Sequence, residues 1–412
     1  VKLVLSLSKY RWQRVLDLEL LENQNHFGDN VNPMLKQAAR RALVIALIIC
    51  ALAIVFYINI AVVVGGLKGL LDFGSFVAAG QLAVQGRNPY ADESPLIFNV
   101  NFSEIGVAGS APNLNPPISV LIFESLANFH PLLSVQVWRF LTVVFYIYTF
   151  YILIRRSKAT TPGIFWRSVW AFSLAGFWHT IELGQLYTFL LLLTAGIIIN
   201  IEKGKTLAAG ILLGVLIAIK PNFVFWAIAL GVAGYGASFL AAGITALLIS
   251  IIPLYFYGFE IYRQWFEASN IFTPHLLLFP GNNSFQGLTA RFGLAPVGIA
   301  MSAALFFAAL FVVYKYKPAL STVNLLSLIV SLLISPIAWT GYTILMLPSF
   351  LRIDEWKREH WIAAYIFSFP FYLVLWFFQK GFFNFVFFGW FYGWGLLLIL
   401  TAAFRDIITN KS

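Results

Sequence analysis

The stretch Leu70-Leu71-Asp72-Phe73-Gly74-Ser75-Phe76, running on to Gly86-Arg87-Asn88-Pro89-Tyr90, decides how this chain is read. It places one carboxylate just beyond the first long apolar run, in a sequence that is 60% hydrophobic and only 11% charged. From Phe73, the apolar positions Phe73, Phe76, Val77, Gly80 and Val84 recur at helical spacing, which predicts a short helix lying flat on a membrane with one buried face. Gly86 stops that helix, and Asn88-Pro89 forces a turn that delivers Tyr90. Asp72 is then expected at the membrane surface beside a short helix. That position suits a reacting group, and equally a helix N-cap, where Asp is favoured.

Working outward, the composition excludes a soluble globular protein, whose apolar fraction is nearer one half. The 412 residues include 41 Phe, 17 Tyr and 13 Trp, and the mean hydropathy is +0.82. The lone cysteine, Cys50, sits inside an apolar run, so neither a disulfide framework nor a thiolate metal cluster is available. The net charge of +10 has its source in basic cytoplasmic loops, and no nucleic-acid motif accompanies it.

The chain divides into a cytoplasmic amphipathic helix and linker over 1–41, one transmembrane domain over 42–404, and a cytoplasmic tail over 405–412. Arg40-Arg41 anchors a first span at 42–64, so the loop 65–115 with Asp72 is external, as is 258–293. Basic clusters at Arg155-Arg156, Lys203 and Lys205, Lys315 and Lys317, and Arg352 with Lys357 and Arg358 mark the cytoplasmic side. The breaks at Gly184-Gln185, Lys220-Pro221 and Ser335-Pro336 then share the external end with Asp72. Several later apolar segments fall short of the roughly 20 residues of a full span, which predicts helices that stop partway or enter a cavity. One of them, 116–131, is read as less than a full crossing. The expected fold is an all-α integral membrane bundle of about 12 transmembrane helices (roughly 11–13), with amphipathic juxtamembrane helices in its long first external loop.

On this topology the polar exceptions gather on one side: Asp72, Tyr90, Asn113, Asn115, His179, Glu182, Gln185, Lys220, Asn222, His275, Asn282, Asn283, Gln286, Arg291 and Trp339. Polar groups at membrane depth are costly and mark a cavity. Lys220 has no acidic neighbour in sequence, so an anionic ligand group is its natural partner, with Arg291 and Arg87 adding to a phosphate site. Cations beside one carboxylate suggest transfer from a phosphorylated lipid, with the carboxylate as base. A transporter or lipid flippase would also carry broken helices and a midplane lysine. Internal repeats, expected there, are not found, whereas the long first loop with its carboxylate suits an enzyme. A ligase or polymerase acting on lipid-linked glycans shares the topology and differs in substrate size.

The order Asp72, Phe76, Gly86, Tyr90, Asn115-Pro116-Pro117, Gly184-Gln185, Gly210 with Gly214, Lys220-Pro221, and Ser335-Pro336 with Trp339 resembles the polyprenyl-phosphate-dependent glycosyltransferases of family 87. These belong to the GT-C class and include the mannosyltransferases of phosphatidylinositol mannoside synthesis. The resemblance covers roughly residues 40–350. It implies a multi-pass enzyme of the cell (inner) membrane, which moves a hexose, mannose in first place, from a polyprenyl phosphate to a lipid or glycan acceptor on the external or periplasmic face. The family's first-loop aspartate, its proposed general base, maps onto Asp72, and its Lys-Pro lysine maps onto Lys220. Tyr90, Asn115, Gln185, His179, His275, Asn283, Trp339 and Tyr342 are the expected substrate contacts.

Two departures stand out. Phe76 replaces a frequent Tyr, and Gly341 stands where a His often follows the tryptophan, leaving Tyr342, His179 or His275 to replace it. A single base without a second nucleophilic carboxylate implies one inverting displacement. The expected cofactor complement is none, with no tightly bound metal. The lipid-phosphate donor is a co-substrate, and the other partners are the acceptor and membrane lipids, not nucleic acid.

Overall fold

The computed structural model describes residues 71–91, 113–157 and 159–409. The described residues all belong to one compact unit, Val55–Ser412. The amphipathic helix expected at 2–22 and the span expected at 42–64 lie outside the described residues.

All described elements are helical. In chain order they are α1 (Leu71–Val84), α2 (Ile118–Ala127), α3 (Pro131–Ile154), α4 (Thr161–Ser173), α5 (Ala175–Leu183), α6 (Tyr187–Glu202) and α7 (Thr206–Ile219). A 3-10 turn, Pro221–Phe223, leads into α8 (Val224–Val232), α9 (Gly236–Tyr257), α10 (Glu260–Leu276), α11 (Phe285–Ala290), α12 (Ala295–Tyr316) and α13 (Leu320–Leu333). A second 3-10 segment, Thr340–Met346, precedes α14 (Leu347–Arg352), α15 (Arg358–Ser368), α16 (Phe371–Phe378), α17 (Phe382–Gly389) and α18 (Phe391–Thr409).

Among the described residues, four helices are long and apolar enough to cross a membrane: α9, α12, α18 and the Leu133–Ile154 part of α3. The pair α15 and α16, bent by 79°, makes a fifth if counted as one span. The described residues are therefore those of an all-helical, membrane-embedded domain. Helices α2, α6, α7 and α13, and the segment Pro221–Val232, are apolar but only 10–17 residues long. The 10 residues of α2 agree with reading 116–131 as less than a full crossing.

The core is assembled around α6. Its burial extends round the whole helix, from Tyr187 through Leu190, Leu191, Ala195 and Ile198 to Ile201, as befits an apolar helix surrounded by others. Against it packs α7, which in turn crosses α9 closely. A Cβ added at Gly210 would lie 2.5 Å from the Ser238 carbonyl oxygen, and one at Gly214 would lie 2.7 Å from that of Ala242. Such spacing of small residues lets two backbones touch where lipid supplies no hydrophobic drive.

Helix α1 departs from the expected one-faced helix. Phe73, Phe76 and Val77 are buried as the periodicity requires, but Ser75, Ala78, Ala79 and Leu82 on its other sides are buried too. Helix α2 supplies part of that cover. Gly80 sits so close to it that a Cβ would fall 2.7 Å from the Glu124 amide nitrogen. The aromatic cluster of Phe73, Phe123 and Trp138, with Phe73 stacked on Trp138 at 5.6 Å, ties α1 to α2 and α3.

Candidate active site

Three chain breaks deliver the polar groups of the site. Helix α5 ends at Gly184, which takes the left-handed conformation (φ 70°, ψ 37°) that glycine adopts without steric penalty. The reversal is pinned by Gln185 N–H donating to the Thr180 carbonyl at 3.0 Å and by Trp138 Nε1 donating to the Gly184 carbonyl at 2.8 Å. At the second break, Pro221 disfavours helical geometry for the residue before it, so α7 stops at Ile219 and Lys220 is extended (φ −139°, ψ 91°). The third is the Asn113-Leu114-Asn115-Pro116-Pro117 loop. There Asn113 Oδ1 accepts from both the backbone and the side-chain amide of Asn115 at 3.0 Å, an Asx turn. Trp265 and Tyr90 hold the loop from outside, donating to the carbonyls of Leu114 at 3.1 Å and Asn115 at 2.9 Å.

These breaks converge on Asp72. The Asp72 side chain accepts a hydrogen bond from Gln185 Nε2, so its carboxylate is engaged across the fold and not only with its own helix. Lys220 Nζ donates to Asn115 Oδ1 at 2.6 Å and lies 5.9 Å and 5.8 Å from the ring centroids of Tyr187 and Tyr342. An ammonium has three donors, so one bond to Asn115 leaves capacity for an anion. Asp72 is half-buried, and burial pushes its carboxyl up to about 6, against the opposing effects of the Gln185 hydrogen bond and the Lys220 charge. A carboxylate tuned into this range is suited to accept a proton near neutral pH. Glu182 is close enough to feel the Asp72 charge, and its own carboxylate accepts from the Tyr372 hydroxyl.

The structure thus brings Asp72, Gln185, Lys220, Asn115 and Tyr342 together, with Tyr90 and Asn113 supporting them from behind. Other residues expected at the site are placed differently. Asn283 is spent on backbone groups: Nδ2 donates to the carbonyls of Gly281 (2.8 Å) and Ala338 (3.2 Å), and Oδ1 accepts from Gly393 N–H at 3.0 Å. Arg291 is buried, with guanidinium bonds to the carbonyls of Gly287 (2.5 Å) and Phe279 (2.8 Å), and burial lowers its pKa to about 10. Trp339 meets Phe279 edge-on at 5.7 Å. His179 is buried with its ring edge-on to Phe371 at 4.5 Å. His275 and Arg87 are exposed.

Two residues of interest were not singled out from the sequence. Tyr187 lines the Lys220 site at 4.4 Å from the Tyr342 ring. Its signal was only its place just after the Gly184-Gln185 break. Arg139, next to Trp138 on α3, has Nε and Nη2 buried without a partner among the described residues. A lone cation in an apolar span was the available signal.

The model of glycosyltransferase family 87 matches residues 113–336, more than half of the chain. The chain belongs to glycosyltransferase family 87. Within this family 87 glycosyltransferase the match holds Asn115, His179, Gln185, Lys220 and Arg291, whereas Asp72 precedes it and Trp339 and Tyr342 follow it. No curated protein and no solved structure matches the chain. Glycosyl transfer is helped by a base for the acceptor hydroxyl and by positive charge beside an anionic leaving group. Asp72 and Lys220 have the chemistry for these two tasks.

Proposed function

We propose that this glycosyltransferase moves a hexose, mannose in first place, from a polyprenyl phosphate to a lipid or glycan acceptor at the external face of the cell membrane. The observation that carries the reading is the Asp72 carboxylate, held by Gln185 within electrostatic reach of Lys220. The acceptor oxygen attacks the anomeric carbon and its proton passes to Asp72. The bond from that carbon to the phosphate oxygen breaks, and the polyprenyl phosphate leaves with the electron pair. Lys220 absorbs the developing charge, which a lipid phosphate carries well enough to leave without protonation. Asn115 and Tyr342 hold Lys220 in place and border the donor. Gln185 Oε1, buried without a partner among the described residues, is free to accept from a substrate hydroxyl.

One displacement inverts the anomeric centre. Glu182 is tied up with Tyr372 and does not act as a second nucleophile. The external placement rests on the basic clusters at the opposite ends of the helices. The test is incubation of purified protein with radiolabelled polyprenyl-phosphate mannose and cell lipids, followed by anomeric analysis of the product. Label transferred with inversion supports the proposal; transfer with retention would overturn the single-displacement reading, and transfer only from a nucleotide sugar would overturn the donor.

A further inference from the structure

A cavity of about 910 Å³ lies at the other end of α6 from the Asp72 site, lined by Ile198 and Glu202 of that helix. The helix has 16 residues between Tyr187 and Glu202, about 24 Å at 1.5 Å per residue, so the two sites are separate. Its walls are apolar at Tyr316, Leu325, Ile399 and Ile407.

Arg352, Asn324 and the first turn of α13 are among the residues that line this space. Arg352 pairs with Glu202 through Nη2, while its Nη1 is buried without a partner among the described residues. Asn324 is 1% exposed, and its Oδ1 accepts from Trp226 Nε1 at 3.0 Å. That bond fixes which way the amide faces, and Nδ2 is left buried and unpaired. Helix α13 begins at Leu320, four residues before Asn324 and so on the same face, and no side chain caps its first turn. The amides and dipole of a helix N-terminus favour an anion. Buried donors left unmatched are costly, so a ligand rich in acceptor oxygens is the chemistry these groups call for.

The charges lining the cavity balance. Lys357 pairs with Asp406 at 2.6 Å, as Arg352 does with Glu202. The cations Arg156 and Lys317 and the acids Asp354 and Glu355 also line the cavity, without an ion pair among the described residues. A bare anion would meet as much repulsion as attraction there. A phosphate joined to an ammonium meets neither excess. The volume and the apolar walls also exceed what inorganic phosphate needs.

We propose that this cavity binds the head group of a zwitterionic phospholipid. Its phosphate lies against Arg352, Asn324 and the first turn of α13, its ammonium lies toward Asp354 and Glu355, and its chains follow the apolar wall.

Native mass spectrometry of the full, delipidated chain tests this with phosphatidylethanolamine, phosphatidylglycerol or inorganic phosphate added. Wild type should retain phosphatidylethanolamine about tenfold better than phosphatidylglycerol. Asn324→Asp keeps the acceptor for Trp226 but sets a carboxylate where the donor was, and should lose about tenfold in retention, the scale of a charge-assisted contact. Asn324→Leu, which removes the donor without adding charge, serves if the aspartate variant fails to fold. The exposed pair Arg156→Gln with Lys317→Gln should weaken retention by about threefold. Unchanged retention in a folded Asn324 variant would overturn the site. Equal or better binding of phosphatidylglycerol would overturn the zwitterion, and displacement of the lipid by millimolar phosphate would make the cavity a free-anion site.

Discussion

Gly341 and Tyr187 compete for one space: a Cβ added at Gly341 would land on the Tyr187 ring. Gly341 stands where the family often has a histidine, with Tyr342, His179 or His275 as the expected replacement; the ring of Tyr187 fills the space beside Gly341, against Tyr342 and near the Lys220 ammonium. The aromatic wall beside the cation is thus supplied from the Gly184 break and not from the Thr340–Met346 segment alone.

Gly341→Ala should therefore destabilise by about 1–3 kcal/mol, the usual cost of overpacking a filled core. Tyr187 is fully buried, so Tyr187→Ala is itself costly, about 3–5 kcal/mol, but in that background Gly341→Ala should add little, since the obstructing ring is gone. Thermal unfolding in detergent of the two single variants and the double variant measures the coupling. Strictly additive effects would mean that the two residues do not share this space.

Gln185 favours the ionised form of Asp72 by donating to it. With Asp72 as the proposed base, turnover would need the carboxylate, so the acid limb of the rate profile should lie near pH 6 in the wild type, falling about tenfold per unit below it. In Gln185→Ala the limb should move to higher pH. A limb that stays in place would show that Gln185 does not act through Asp72.

Lys220 affects the same titration through space, and its charge also lowers the Asp72 pKa. Lys220→Gln should weaken donor binding by about 10–100-fold, the worth of a hydrogen bond to a charged group, and should shift the acid limb upward. Lys220→Arg should retain part of the affinity and leave the limb near its wild-type place. Unchanged donor affinity in an intact Gln variant would pass the phosphate role to another cation, with Arg139 and its unpaired guanidinium nitrogens as the first to test.

The parts of the site that were legible in the sequence are those set by local backbone chemistry. Lys-Pro and Gly-Gln at the ends of apolar runs announce helix breaks, and breaks are where polar groups reach a cavity. Asn283 and Arg291 look the same in sequence, as polar groups in an apolar chain, yet their bonds go to carbonyls and amides of irregular backbone. A buried loop must satisfy those groups somehow, and a sequence does not show which polar residue does so. Tyr187 was hidden for another reason. It is one of 17 tyrosines, and its place depends on the missing side chain at Gly341, 154 positions later in the chain. The nearly all-round burial of α1 escaped the periodicity because alanine and glycine give little contrast between faces.

Asp72→Asn separates a base from a structural carboxylate. The substitution keeps size and an oxygen for Gln185, so fold and donor binding should persist while transfer falls by about 10²–10⁴, the usual contribution of a general base. Stability supplies an independent sign. The folded pKa of Asp72 is raised from 3.8 to about 6, so the folded state holds this proton more tightly than the unfolded state does. Its contribution is fully present below about pH 4 and is lost as pH rises through 6. Asn stays neutral throughout. The melting temperature of Asp72→Asn relative to wild type should therefore rise between pH 4 and pH 7, even as activity disappears. An Asn variant that unfolds more readily at pH 7 than at pH 4, relative to wild type, would make the charge structural, and near wild-type transfer by the same variant would pass the role to another carboxylate, with Asp92, Glu93 and Glu182 the ones to test.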